Sequence, residues 1–197
     1  GVNLPGFVER SKVIASLPSL SLLTLAALTP DDIELDYREV RDLDEAAALP
    51  GDYDLVAIAT FSARALDAYR LAARFRERGT PVVMGGLHVT AVPEEARAHG
   101  VTAVVGEGEL TWPQLIADFR HGRLQPEYRP AAGRTFDLAD APMPRFELLD
   151  FARYNRIPIQ TSRGCPHRCD FCASSILLTP RYTVKPIEKV IAEIRRV

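Results

Sequence analysis

The chain has 197 residues, and its 24 basic and 26 acidic side chains leave a formal net charge of −2 at pH 7. This near-neutral balance argues against a surface dominated by contacts with nucleic-acid phosphates, and 47% apolar with 25% charged residues is typical of a folded protein rather than of general disorder. No apolar run approaches the ~20 residues that span a bilayer, and the apolar stretch 17–28 lacks the basic flank of a secretory signal. We therefore expect a cytoplasmic protein without a transmembrane segment.

Strand-like and helix-like segments alternate along the first part of the chain. Four strands are predicted, the first from alternating apolar and polar residues and the others from continuous apolar runs: Ile33–Tyr37, Asp54–Thr60, Pro81–Met84 and Thr102–Val105. Four helices are predicted from helical spacing and from flanking proline or glycine: Leu20–Leu28, Ala65–Gly79, Pro93–Gly100 and Pro113–His121. Gly1–Pro5 is predicted to be the end of an earlier strand, so we expect the chain to start inside its first element. The alternation predicts a flavodoxin-like (Rossmann-type), doubly wound parallel α/β sheet over residues 1–124.

The alternating pattern breaks at residues 125–156, where prolines punctuate the chain and no long periodicity survives. This segment also carries apolar residues, among them Phe136 and Phe146. We therefore expect a proline-rich linker that packs against the rest of the protein.

Residues 157–197 carry one further strand and helix. The strand is predicted at Ile157–Gln160, and the helix at Pro186–Arg196 has an apolar stripe made of Ile187, Val190, Ile191 and Ile194. A complete βα barrel needs ~200 residues or more, so we expect only the start of a larger second domain here.

All three cysteines lie on the loop between that strand and that helix. Cys165, Cys169 and Cys172 have the spacing C-x3-C-x2-C. Three thiolates on a short loop can hold three irons of a cubane cluster and leave the fourth iron open, as a catalytic metal centre requires. A zinc site, a redox dithiol and a structural role remain alternatives, since C-x2-C occurs in the first two as well. His167 lies too close between two cysteines to complete a zinc tetrahedron easily.

The segment Gln160–Cys172 resembles the signature of the radical S-adenosylmethionine (radical SAM) enzymes, with Phe171 at its aromatic position. The resemblance implies that the three cysteines bind a 4Fe–4S cluster after the first strand of a partial TIM-type barrel. It also implies that S-adenosylmethionine chelates the fourth iron, so that an electron from the cluster produces a 5′-deoxyadenosyl radical. Arg163, His167 and Arg168 flank the cysteines; they could orient the cluster or a redox partner, or only keep the loop in solution.

The carboxyl ends of the predicted strands are rich in glycine and small residues. Ligands of doubly wound folds bind at this edge, and glycine lets a ligand approach the backbone closely. Glycine is also common in any βα turn, so this composition alone does not distinguish a site. The candidate cofactor-binding residues are Thr60, Phe61, Ser62, Gly85, Gly86, Leu87, His88, Gly106, Glu107 and Gly108.

The order of the motifs resembles that of the cobalamin-binding radical SAM family. The matching segments are Leu22–Pro30, Gly85–Thr90, Gly106–Glu109 and Pro144–Leu149, followed by the cysteine motif. The resemblance implies that the first domain binds cobalamin. The corrin would lie over the carboxyl edge of the sheet, with the nucleotide tail beside the glycines and with backbone groups of the Thr60–Ser62 turn lining the same crevice.

One feature departs from many other cobalamin domains, which place a cobalt-ligating histidine in D-x-H-x-x-G after the first strand. Residues 1–28 contain no histidine, and the first in the chain is His88. We therefore expect no histidine beneath the cobalt and expect His88 to pack at the rim of the crevice. Glu107 and Glu109 could hydrogen-bond the ligand's tail or lie in a solvated loop.

These observations predict a cobalamin-dependent radical SAM enzyme, in first place a methyltransferase acting on an unactivated carbon. One alternative keeps both cofactors but performs ring formation, ring rearrangement or oxidation without methyl transfer; the other is a non-enzymatic cobalamin-binding module with a structural zinc loop. The enzyme hypothesis implies a small-molecule or lipid-like substrate and a reductant such as flavodoxin or ferredoxin. The chain alone is expected to be inactive, because it lacks most of the barrel that would shelter a radical from water.

Overall fold

The structure is a computed structural model, and it describes residues 17–40, 43, 49–154, 156–167, 169–172 and 181–197. Within these ranges four parallel strands form one sheet in the order of the chain. They are β1 (Val56–Ala59), β2 (Val82–Gly85), β3 (Thr102–Val104) and β4 (Glu127–Tyr128). The first three overlap the predicted apolar runs, so those predictions are confirmed. The predicted strand end at Gly1–Pro5 lies outside the described residues.

The described helices begin and end close to the predicted boundaries. They are α1 (Leu20–Ala27), α2 (Ala65–Arg76), α3 (Leu87–Ala91), α4 (Pro93–Ala98), α5 (Trp112–Arg120) and α6 (Ile187–Arg196). The Ser19 hydroxyl accepts the Leu22 N–H at 3.5 Å and caps α1. Proline stands in the first turn of α4 and α5, while Gly79, with φ +85°, reverses the chain after α2. The short helix α3 was not predicted.

Helices cover both faces of the sheet, as the doubly wound prediction requires. Successive residues of a strand point to opposite faces, and β2 follows this rule. Val82 and Met84 pack in one buried cluster with Phe75 of α2, whereas Val83 packs in another with Leu115 of α5. A layer of helices on each side therefore buries the central strands, and this explains their continuous apolar sequence.

Two predicted strands differ from the structure. Ile33–Tyr37 joins no ladder among the described residues: Ile33 packs beneath the sheet, and the Tyr37 hydroxyl accepts the Ser19 N–H at 2.7 Å. Ile157–Gln160 is not a strand either. The strand of this region, β5 (Ser162–Arg163), lies further along the chain and pairs antiparallel with β6 (Thr183–Val184). Both predictions of position were wrong, since a strand exists only where a neighbouring strand completes its hydrogen bonds.

The proline-rich segment packs against the first domain, as expected. Phe146 is fully buried with Leu23 of α1 and Leu149, and the Arg145 N–H donates to the Leu23 carbonyl at 3.1 Å. This segment also contributes β4, which pairs with β3 and which the sequence did not predict. The sheet therefore extends into the region that the sequence predicted to be a linker.

Helix α6 leaves most of its predicted apolar stripe exposed and buries an acidic side chain. Ile187, Ile191 and Ile194 are 73%, 40% and 56% exposed, so the predicted apolar stripe faces away from the described part of the chain. The side chain that α6 buries is Glu193, paired with Lys185 at 2.5 Å. Among the described residues, no helix combines the length and the apolar character that crossing a membrane demands.

Candidate cofactor site at the carboxyl edge of the sheet

Parallel pairing brings the ends of β1, β2 and β3 to a single edge. The Thr60 N–H, just after β1, donates to the Gly85 carbonyl at 3.1 Å. The Gly106 N–H, after β3, donates to the Thr90 hydroxyl at 3.0 Å, so the loops after β2 and β3 are tied together. The structure therefore assembles the predicted turns into one continuous rim.

Gly86 lies where the ends of β1 and β2 approach each other most closely. Its φ is +101°, a conformation that L side chains rarely adopt. A Cβ atom there would stand 2.3 Å from the Thr60 carbonyl oxygen and 3.1 Å from the Thr60 nitrogen. The protein's own backbone thus requires glycine at this position, whatever the rim binds.

His88 lies at the rim, at the start of α3. Its Nδ1 is 3.3 Å from the Ser62 hydroxyl and its Nε2 is 3.4 Å from a Glu95 carboxylate oxygen. The edge of its ring faces Tyr69 at 6.0 Å between centroids, and its side chain is 13% exposed. Both ring nitrogens therefore face protein groups, which suits a residue that shapes the rim.

A cavity of about 870 Å³ opens beside β1 and runs up to the rim. Four predicted site residues contribute to its lining: Thr60, Phe61, Gly86 and Leu87. Phe61 is 60% exposed, so it presents an aromatic surface next to the opening. The cavity and the exposed aromatic ring beside it fit a large ligand seated on this edge.

Glu107 and Glu109, in the loop after β3, are buried instead of solvated. Arg163 of β5 donates from one guanidinium nitrogen to Glu107 at 2.8 Å and from the other to Glu109 at 2.6 Å. The Arg163, Glu107 and Glu109 side chains are 19%, 10% and 9% exposed. The second oxygen of Glu107 accepts the Phe136 N–H at 2.8 Å. Contact between Glu107 and a ligand stays a prediction, while the solvated-loop alternative is wrong for both carboxylates.

The cysteine loop starts two residues after Arg163. Cys165 and Cys172 are half-buried, Cys169 is exposed, and none of the three is in a disulfide. The Cys172 N–H donates to the Cys169 carbonyl at 3.0 Å, which turns this end of the loop back on itself. Phe171 is 93% exposed. Three cysteine side chains on one loop are the donor set of an iron–sulfur cluster, although no three His, Cys, Asp or Glu side chains converge as metal ligands in the described ranges.

The sequence did not assign Arg163 its position between the two carboxylates. The local pattern placed it beside the cysteines, but its partners lie 56 and 54 residues earlier in the chain. Glu95 and Thr90 were also absent from the predicted site, and each bonds a predicted site residue. Arg168 lies outside the described residues.

Comparison with known proteins agrees with this architecture. Residues 12–116, more than half of the chain, match the family model described as "B12 binding domain". The chain is 35% identical over 179 residues to the bacteriochlorophyllide d C-8(2)-methyltransferase of Chlorobaculum tepidum, covering 84% of this chain and 37% of that relative. It is 31% identical over 192 residues to the hopanoid C-2 methylase of Rhodopseudomonas palustris, covering 93% of this chain and 35% of that relative.

A solved structure has the same fold. The radical S-adenosylmethionine methyltransferase TsrM from Kitasatospora setae, with cobalamin and a [4Fe-4S] cluster bound, matches with a TM-score of 0.62 at 17% identity. The match covers 94% of this chain and 44% of that one. The chain thus spans less than half the length of each of these three proteins.

Proposed function

The chain belongs to the B12-binding domain family, and we propose that it forms the cobalamin-binding and cluster-binding part of a cobalamin-dependent radical SAM methyltransferase. The observation that carries the proposal is the attachment of the cysteine loop to the rim. Arg163, two residues before Cys165, is bonded to both carboxylates of the loop after β3. A three-thiol loop and a B12-type edge therefore belong to one assembly, as a reaction that uses two cofactors on one substrate requires.

Cobalamin would lie on the rim formed by Thr60–Ser62, Gly85–His88 and Gly106–Gly108. The backbone groups of these turns can bond its polar periphery, and Phe61 offers it an apolar face. The structure supports this placement with the cavity of about 870 Å³ that reaches Thr60 and Leu87. Both nitrogens of His88 face Ser62 and Glu95, which agrees with a histidine that does not bind cobalt.

Cys165, Cys169 and Cys172 would hold the 4Fe–4S cluster, with Phe171 beside it. None of the three is in a disulfide, and on deprotonation they supply the thiolate ligands that such clusters need. When bound, cobalamin supplies a transferable methyl group, and the cluster with S-adenosylmethionine supplies the radical that activates a carbon–hydrogen bond. The chain's own contribution would be to hold the two sites at a fixed separation.

The predicted division into a cobalamin domain (1–124), a linker (125–156) and the start of a barrel (157–197) is part of the proposal, with its first boundary moved. β4 (Glu127–Tyr128) pairs with β3, so the first unit extends at least through Tyr128. We propose a small-molecule or lipid-like substrate, because relatives are named for action on bacteriochlorophyllide and on a hopanoid. A flavodoxin-type or ferredoxin-type reductant would supply electrons.

Loading the protein with cofactors under anaerobic conditions tests the proposal. The chain is incubated with iron, sulfide and hydroxocobalamin, desalted, and analysed for iron, sulfide, zinc and corrinoid. We expect both cofactors in the parent, loss of iron with retained corrinoid in Cys169→Ala, and no change in the control Arg156→Ala, an exposed residue before the loop. Zinc in place of iron, or a protein that retains no corrinoid, would contradict the proposal. Methylated product from the complete enzyme would exclude the alternative radical chemistries.

A further inference from the structure

We propose that Arg163 is a positioning residue that fixes the cysteine loop to the carboxyl edge of the sheet, together with Glu107 and Glu109. We call these three side chains the Arg163 clamp. The identity of the cofactors at its two ends rests on the proposed function. The clamp itself is a property of the chain and can be tested without any cofactor.

The clamp needs the planar fork of arginine. Glu107 and Glu109 are separated only by Gly108, and both are nine-tenths buried or more. Two such carboxylates repel each other unless a cation lies between them. Arg163 meets each with a different nitrogen, at 2.8 and 2.6 Å. A lysine, with a single point charge, could not bond both in the same way.

Burial distinguishes the clamp from an ordinary surface ion pair. Exposed pairs contribute little because water and salt screen them. Removing the cation would leave two carboxylates buried without compensation, so the loop after β3 and strand β5 would separate.

Further contacts tie the clamp to two other segments. The Glu107 oxygen not used by Arg163 accepts the Phe136 N–H at 2.8 Å, and the guanidinium lies 5.8 Å from the centre of the Phe136 ring. Arg163 also donates to the Gln160 side-chain oxygen at 3.0 Å. The loop after β3, the proline-rich segment and β5 therefore meet at one guanidinium.

The clamp is close enough to the cysteines to orient them. Only Gly164, with φ +80°, separates Arg163 from Cys165, and Arg163 is itself held in β5 by pairing with Thr183. A displacement of Arg163 would therefore also move Cys165. On the other side, Gly108 follows the rim residues Gly106 and Glu107. The clamp thereby sets how far the loop lies from the rim.

Energy transfer can measure this separation, because the chain has a single tryptophan and all of its cysteines lie on the loop. Trp112 begins α5, is 6% exposed, and its indole N–H donates to the Thr29 hydroxyl at 2.9 Å, so it is a fixed donor. In a background carrying Cys169→Ser and Cys172→Ser, Cys165 takes an aminonaphthalene acceptor label. Time-resolved fluorescence then gives the distribution of distances between the sheet domain and the loop.

We expect a narrow distribution in the background protein. In Arg163→Met the distribution should broaden about twofold, as for a segment released from its tertiary contacts. Arg163→Lys should lie between the two, because it restores the charge but not the second bond, and Glu109→Gln should resemble Arg163→Lys. The matched control is Arg156→Met, an exposed arginine in the same stretch.

The results divide clearly. A broadened distribution in Arg163→Met, a partial return in Arg163→Lys and no change in Arg156→Met, all with native circular dichroism, support the clamp. An unchanged distribution in folded Arg163→Met overturns it. If Arg163→Met does not fold, Glu109→Gln and Arg163→Lys decide: distributions equal to that of the background protein overturn the proposal, and broadened ones support it. Failure to load iron or corrinoid would refute the proposed function and leave this outcome intact.

Discussion

The buried pair formed by Lys185 and Glu193 gives the sharpest test of how α6 is held. Lys185 donates to one Glu193 oxygen at 2.5 Å, and the two side chains are 3% and 2% exposed. The other Glu193 oxygen has no hydrogen-bond partner among the described residues. The Lys185 N–H also donates to the Thr161 carbonyl at 2.8 Å, which joins the pair to the start of the cysteine segment.

Lys185→Met should therefore be strongly destabilising. It leaves the Glu193 carboxylate buried without a counter-charge, and breaking a buried pair in this way costs about 3–5 kcal/mol of unfolding free energy. For a chain of this size that loss lowers Tm by about 6–20 °C, taking about 2–4 °C per kcal/mol. Glu193→Leu alone should also destabilise, because it leaves the ammonium group of Lys185 buried.

The double variant Lys185→Met/Glu193→Leu should recover most of the loss. Buried ion pairs can be replaced by apolar residues of similar volume at little or no cost, since both desolvation penalties disappear together. Urea and thermal unfolding followed by circular dichroism would give the four free energies of the cycle. Glu188→Leu, on the first turn of the same helix and exposed, is the control and should change stability by no more than about 0.5 kcal/mol. Additive effects of the two single changes would refute the reasoning, because they would mean that the charges are not coupled.

Two further predictions concern the sheet domain. Gly86→Ala should lower the free energy of unfolding in urea more than Gly122→Ala does. Both glycines have positive φ, which costs about 1–2 kcal/mol for an L residue, but only at Gly86 would the new Cβ meet backbone, 2.3 Å from the Thr60 oxygen. Equal losses of stability in the two variants would contradict this. The hydrogen bond from Arg123 lowers the pKa of Asp118, so Asp118 contributes stability above its unfolded pKa of about 3.9. That contribution should be lost as the pH falls through the lower pKa that Asp118 has in the folded state. The stability difference between the parent and Asp118→Asn should therefore shrink in acid unfolding titrations. A pH-independent difference would show that Asp118 does not link stability to pH.

The local residue pattern was sufficient to predict those elements whose formation depends on residues close together in sequence. Continuous apolar runs predicted β1, β2 and β3, and in β2 the run reflects burial on both faces. Flanking proline and glycine predicted the ends of α1, α2, α4 and α5 to within a few residues. The order of the glycine turns and the cysteine motif predicted membership of a cobalamin-binding family, which the match over residues 12–116 confirms.

Strand pairing was decided only by tertiary structure. The pattern at Ile33–Tyr37 alternates as well as that of any strand, yet the segment has no ladder partner among the described residues. Conversely, Glu127–Tyr128 is too short to show a period and still joins the sheet beside β3. Backbone hydrogen bonds between strands come from distant segments, and side-chain periodicity does not record which segments meet.

Charge at the candidate site shows the same division. The motif C-x3-C-x2-C identifies the candidate ligand atoms without a structure, because thiolates bind iron and the spacing keeps the three of them on one loop. Whether Arg163, Glu107 and Glu109 face solvent or one another depends on a fold that brings together residues 54 and 56 positions apart. On α6, likewise, the cation that compensates the buried Glu193 is supplied by Lys185, outside the helix, and the helix sequence alone does not show this pairing. Composition and spacing therefore determine which ligand atoms the chain can offer, and long-range packing determines which groups are paired, buried and held in place.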